Sequence, residues 1–191
     1  RPAGRNLGIE KARSEIIAIT DAGCVLDRNW LREITRPFKY SNVDVVSGYY
    51  KSLSDSAFEQ CMAIYTLVMP DRIDPNKFLP SARSMAVRKN VWKEVGGFPE
   101  NYPFNEDYVF AHTLKRLRKK FVFTKKAFVY WKPRENLLKA FLMFFYFAKG
   151  DAQARIFRPK VILIFIRYIV AFFLLLKSLV FVLLIPLYFT W

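Results

Sequence analysis

Two places along the chain carry side chains suited to acid–base or ligand chemistry. Asp21 follows the apolar run Ile16-Ile17-Ala18-Ile19-Thr20. A carboxylate at the carboxyl end of a buried strand sits where open α/β sheets place their ligands. Beside a diphosphate it can hold a hard divalent cation. In Asp21-Ala22-Gly23 the same residue can equally open a turn or cap a nearby helix. Glu106-Asp107, after Asn105, stands at the start of a predicted helix. One of these carboxylates can act as a general base toward an acceptor hydroxyl. The bland account is that both favour the helix dipole, by ~0.3–1 kcal/mol, with Asn105 as the N-cap. Ser81-Ala82-Arg83-Ser84 offers hydroxyls and a guanidinium in a loop, suited to hydrogen-bonding a sugar, although such loops are common. His112 has no second ligand at helical spacing and reads as a surface or core residue.

These residues need elements to position them. Residues 5–13 and 29–38 read as helices, the second ending near Pro37. The run 15–20 has the length and continuous apolarity of a strand covered on both faces. Val43 to Ser47 reads as a second strand closed by Gly48, and 55–69 as a helix capped by Asp55 or Ser56 with Pro70 beyond its end. Met85 to Val87 reads as a short strand before a brief helix that stops at Gly96-Gly97. A helix runs from Asn105 to about Arg118. Strands over 121–123 and 127–131 flank a Lys125-Lys126 turn, and 137–148 is an apolar, Phe-rich helix suited to a membrane surface. This alternation predicts an α/β fold with a largely parallel sheet. Residues 1–134 are expected to form that domain, 135–160 an amphipathic interfacial helix and linker, and 161–191 a membrane segment. Tyr168 to Tyr188 offers an apolar stretch of spanning length, interrupted by Lys177 and Pro186; about 20 apolar residues are needed to cross a bilayer.

Composition narrows the function classes. Of 191 residues 53% are hydrophobic and 25% charged, and beyond Val161 only Arg167 and Lys177 carry charge. Neither a disordered chain nor a wholly embedded one fits. The net charge of +15 is densest from Lys115 to Arg134, where Lys and Arg occur with no acid. Such a patch before an apolar tail predicts attraction to anionic lipid or to phosphate on a substrate. Nucleic acid is disfavoured, because no helix-turn-helix, RNA-recognition or zinc pattern accompanies the charge. Cys24 and Cys61 form neither a zinc pattern nor a disulfide framework, so buried free thiols on the cytosolic side of a membrane are expected.

Order and spacing add to these single signals. Arg5-Asn-Leu-Gly-Ile-Glu-Lys-Ala12, then Ile-Ala-Ile-Thr-Asp-Ala-Gly-Cys24, then Trp30-Leu31 resembles the middle of the family 2 glycosyltransferases. In that family an ARNxGI-type helix precedes an apolar strand ending in a DxD-type motif. The stretch 78–98, with Ser84-Met-Ala-Val-Arg88 and Val95-Gly-Gly-Phe98, resembles its acceptor-side segment, and Asn105-Glu-Asp107 its xED motif. The resemblance implies a partial GT-A fold, Rossmann-like and lacking its N-terminal strands, since these have no counterpart before Arg1. It also implies a nucleotide-diphosphate sugar donor, a divalent cation (Mg2+ or Mn2+) and inversion in a single displacement. Asp107 matches the catalytic base, with Glu106 beside it. Asp21 matches the first DxD aspartate, near metal and diphosphate. Arg5 and Asn6 are expected near the donor, and Arg83 and Ser84 in the sugar or acceptor pocket. Two departures stand out: Gly23 occupies the third DxD position, and no QxxRW occurs near Gln153, which disfavours the processive polysaccharide synthases. The implied activity is sugar transfer to a lipid-linked or glycan acceptor near a membrane. The alternative is a non-catalytic membrane-associated scaffold that keeps the same fold.

Overall fold

The computed structural model describes residues 2–40, 42–67, 73–157 and 159–188, with backbone alone for 159–161 and 179–188. The chain forms two compact units, 1–154 and 155–191. In the first, the order is α1 (Pro2–Lys11), β1 (Ile16–Ile19), β2 (Cys24–Leu26), α2 (Trp30–Thr35), α3 (Pro37–Tyr40), β3 (Val45–Ser52), α4 (Ala57–Thr66), β4 (Met85–Arg88), α5 (Lys89–Glu94), α6 (Glu106–Arg116), β5 (Phe121–Trp131) and α7 (Leu137–Gln153).

The five strands make one sheet in the order β1-β4-β3-β5-β2. Alternate side chains along each strand enter opposite faces. Ile17, Ile19, Val45, Met85 and Val87 join Ile9, Trp92, Phe98, Phe110 and Leu114 on one side. Val46, Ala86, Ala127 and Val129 join Trp30, Ile34 and Phe38 on the other. The sheet is thus covered twice, which is why its strands read as unbroken apolar runs.

The expected parallel sheet is corrected to a mixed one. β4 runs antiparallel to both β1 and β3, and β2 antiparallel to β5; only β3 and β5 are parallel. The reason lies in α4. A helix that crosses over a sheet returns the chain to lay a parallel strand. Here α4 packs through Met62 against Ala140 and Met143 of α7, and β4 enters opposite Ser47 and runs back along the first half of β3. Strong local capping starts α4 nonetheless: Ser56 Oγ accepts from the Glu59 amide and Glu59 Oε2 accepts from the Ser56 amide, both at 3.2 Å, a reciprocal box.

Other expectations shift for identifiable reasons. Gly48 does not close its strand; β3 continues to Ser52, and a Cβ at 48 would collide with Ser84 Oγ and Ala127 O. Lys125 and Lys126 do not turn the chain. They sit in a bulge of one long strand, where the partner advances from Phe123 to Phe128 while β3 moves from Ser47 to Tyr49. The helix expected over 29–38 divides before Pro37, which lacks the N–H needed to continue a ladder but suits the first position of α3. The thiols are free as expected but not buried: Cys24 is half-exposed and Cys61 exposed. Pro70 and the end of the helix expected over 55–69 lie outside the described residues.

The second unit is dominated by α8 (Pro159–Tyr188). Its described side chains, including Leu163, Phe165, Phe173 and Leu175, are exposed. Among the described residues no helix is long and apolar enough to cross a membrane. The expected span over 168–188 falls, in its second half, outside the described side chains.

Candidate functional site

The turn after β1, the loop before β4 and the first turn of α6 meet at one end of the sheet; α1 supplies the residue that links the first to the last, and Asp107 links the loop to α6. Arg5 donates from Nη2 to Asp21 Oδ1 and from Nη1 to Glu106 Oε1, both at 2.9 Å. Its guanidinium also lies 4.7 Å from the centre of the Phe98 ring. The side chains of Arg5 and Glu106 are only 13% and 9% exposed, against 38% for Asp21. A planar fork that spans two carboxylates is chemistry for Arg and not for Lys. Asp21 thereby keeps an open side toward solvent, whereas Glu106 is committed to the ion pair.

Asp107, the next residue, is fixed by three donors. Its Oδ2 accepts from Ser81 Oγ at 2.9 Å and from the Ala82 amide at 3.1 Å, and its Oδ1 from the Tyr108 amide at 2.8 Å. Backbone and hydroxyl donors of this kind hold one rotamer in place. Arg83 stands between two aromatic faces, 5.3 Å from Tyr50 and 4.7 Å from Trp131, an arrangement that attracts a cation to the ring quadrupole. The field of these groups is felt by their neighbours. Burial pushes the Tyr50 hydroxyl up from its ordinary value, with Arg83 opposing and Asp107 adding to the rise. Burial likewise raises the Cys24 thiol, reinforced by the Asp21 charge and opposed by Arg83. Asp21, Arg83 and Asp107 therefore belong to one neighbourhood.

Two expected site residues have structural bonds instead. Ser84 is buried; its Oγ accepts from Trp30 Nε1 at 2.9 Å and donates to Ala127 O at 3.1 Å. It pins α2 to the sheet and has no face toward a pocket. Asn6 fastens α1 to the Gly97–Glu100 loop: its Nδ2 donates to Phe98 O and Glu100 Oε1, and its Oδ1 accepts from the Phe98 amide. The hydroxyl that reaches Asp107 is that of Ser81, three residues earlier than Ser84. A position directly after Pro80 was the available hint. Nothing in the sequence marks Tyr50 or Trp131 as the walls around Arg83. His112 packs its ring on Tyr108, centroids 4.3 Å apart.

Whether the residues fit a divalent cation depends on Asp21 and on Gly23. Gly23 has φ +87° with open space around it. A side chain there is opposed by backbone conformation and not by crowding, so a second carboxylate at the third DxD position would be strained. Among the described residues no group of three His, Cys, Asp or Glu gathers. Mg2+ and Mn2+ sites built from one or two carboxylates plus substrate phosphates need no such group. A half-exposed Asp21 fits that kind of site.

No curated protein matches the chain. Among solved structures, it is similar to a mannosyltransferase, PcManGT, from Pyrobaculum calidifontis in complex with GDP-Man and Mn2+ (TM-score 0.53, 15% identity, 83% of this chain and 44% of that one). It is also similar to GalNAc-T7 with UDP, GalNAc and Mn2+ (TM-score 0.51, 12% identity, 69% of this chain and 30% of that one). At these identities the likeness is one of fold, the GT-A fold, and the chain spans less than half of either relative. The family model that matches is Glycosyl transferase family 21, over residues 6–144. That range takes in the Asp21 turn, the Ser81–Arg83 loop and the Glu106-Asp107 pair, and the chain belongs to glycosyl transferase family 21.

Proposed function

We propose that the protein transfers a sugar, with inversion, from a nucleotide-diphosphate sugar to a hydroxyl of a lipid-linked or glycan acceptor close to a membrane. One observation carries this reading: Arg5 gathers Asp21 and Glu106 beside an Asp107 that is already aimed by Ser81, Ala82 and Tyr108. Asp107 takes the acceptor proton as that oxygen bonds the anomeric carbon and the bond to the diphosphate breaks. General-base help of this kind contributes about 10²–10⁴-fold. Asp21, with the donor phosphates, would hold a divalent cation, and that ion would supply charge neutralisation at the leaving diphosphate. Glu106 keeps Arg5 in place, and Arg83, held between its rings, faces anionic groups of substrate.

The membrane side of the proposal rests on charge and on α7. The net charge is +15, and Leu137, Leu138, Phe141, Phe144 and Phe145 of α7 are exposed. An apolar helix face on a cationic domain suits an anionic bilayer surface, and the cytosolic face is the one proposed. Gly23 favours a second reading, a membrane-associated scaffold without turnover, since it removes one carboxylate from the motif.

Release of nucleoside diphosphate from GDP-mannose and UDP-GalNAc, with and without Mn2+, separates the two in the full-length protein. The enzyme reading expects Mn2+-dependent release that Asp107→Asn lowers by about 10²–10⁴-fold in protein that thermal unfolding shows to be folded at the assay temperature. Undiminished turnover in that variant removes Asp107 from the role.

A further inference from the structure

Asn105 is one of three residues other than glycine with positive φ (60°, ψ 21°) among the described residues. Such a conformation disfavours any side chain, though Asn tolerates it better than most. It immediately precedes Glu106 and Asp107, so the direction in which both carboxylates leave the chain depends on it. Asn105 occupies the N-cap position of α6 yet makes no side-chain cap bond. Its amide reaches away from α6 instead, donating from Nδ2 to Asp151 Oδ1 at 2.7 Å and to Phe147 O at 3.2 Å, both on α7.

Two independent features press on the same spot. A Cβ at Gly150 would lie 2.8 Å from Phe104 Cβ and 3.0 Å from Asn105 Nδ2, so only glycine lets α7 come so near the turn. Phe104 stacks on Tyr146, centroids 4.8 Å apart and planes 17° from parallel. Tyr146, Phe147, Gly150 and Asp151 share one helical face, and all of it bears on residues 104–105.

We propose that Asp151 is a positioning residue: through Asn105 it holds the left-handed turn that aims Glu106 and Asp107, so that α7 sets the geometry of the carboxylates. The consequence for turnover rests on the reading of Asp107 as the base, but the clamp itself can be tested without turnover. The Ala82 amide donates to Asp107 Oδ2, lies on a different loop and makes no contact with α7 in the clamp described. Its hydrogen exchange therefore reports where Asp107 points.

The clamp predicts that Asp151→Ala speeds exchange at Ala82 by roughly tenfold, the scale of one lost hydrogen bond, and lowers kcat with the donor KM unchanged. Asp151→Asn, which retains an oxygen acceptor, restores both. In an Asn105→Gly background, where the turn costs little, adding Asp151→Ala has no further effect on Ala82. Ala82 exchange unchanged in Asp151→Ala overturns the clamp, as does additivity of the two substitutions. If exchange responds and kcat does not, the clamp stands and the role given to Asp107 fails. Where Asp151→Ala does not fold, Asn105→Ala against Asn105→Gly decides: the alanine variant exchanges faster at Ala82, and equal rates overturn the proposal.

Discussion

The two ends of β1 and β4 both carry dense charge, and they use it differently. Beyond the end of β1, Asp21 shares Arg5 with Glu106, side chain to side chain across large distances in the chain. Before its start, Arg13, Ser14 and Glu15 join Arg88, Lys89, Asn90 and Lys93 around a cleft of about 350 Å3. A cleft ringed by cations invites a ligand, yet two of those cations serve the backbone. Lys89 Nζ donates to the carbonyls of Glu10 and Ala12 at the end of α1, where a cation satisfies orphan acceptors. Arg88 Nε donates to Val43 O, and its guanidinium covers the Phe38 ring. Concavity and charge do not distinguish a site here. Convergence of side chains from four separate segments does.

Three experiments press on that contrast. The largest effect is expected at Arg5. Arg5→Ala leaves Glu106 buried without its partner, and thermal unfolding should show a loss of about 3 kcal/mol together with loss of sugar transfer. Arg5→Lys should recover little of it, because one ammonium cannot span both carboxylates. At the opposite end, Lys89→Met should cost about 1–2 kcal/mol in chemical denaturation while leaving turnover intact. A fall in kcat there would dissolve the distinction between the two ends. The smallest effect is at Cys24, beside Asp21. Alkylation of Cys24 should have a pH midpoint above the ordinary thiol range, since burial and then the Asp21 charge disfavour its thiolate. Through that window the unfolded chain holds fewer protons than the folded one, so stability falls as pH rises past the ordinary thiol value. An ordinary midpoint would mean that Cys24 meets more water than its burial in the fold allows, and that the Asp21 charge does not make up the difference.

Much of the site's scaffold was legible because it is local. The apolar run ending at Thr20, the Met85–Val87 strand and the Glu106 helix start each follow from a short pattern, and the structure places them within a residue or two. Strand direction was not legible, because it depends on α4 packing against α7 and not on any property of β4. Nor was the division between Ser81 and Ser84. Both are small hydroxyl residues of one loop, and only the presence of Trp30 and Ala127 around Ser84 sends it into the core. The bonds of Asn6 were not legible for a related reason: it neighbours Arg5 in the helix, but one step turns a side chain by about 100°, from the carboxylates to the Phe98 loop. Asn105 had the composition of a cap and is held instead by a helix more than 40 residues later.

The Arg5–Glu106 bond joins positions 101 residues apart. During synthesis at about 5–20 residues per second, the first helix emerges roughly 5–20 s before its partner exists. Throughout that interval Arg5 has only Asp21 to meet, and no local intermediate can contain the assembled carboxylates. The site therefore waits on the arrival of the 98–107 segment, and substitutions that slow that arrival should be felt as poor yield before they are felt as poor catalysis.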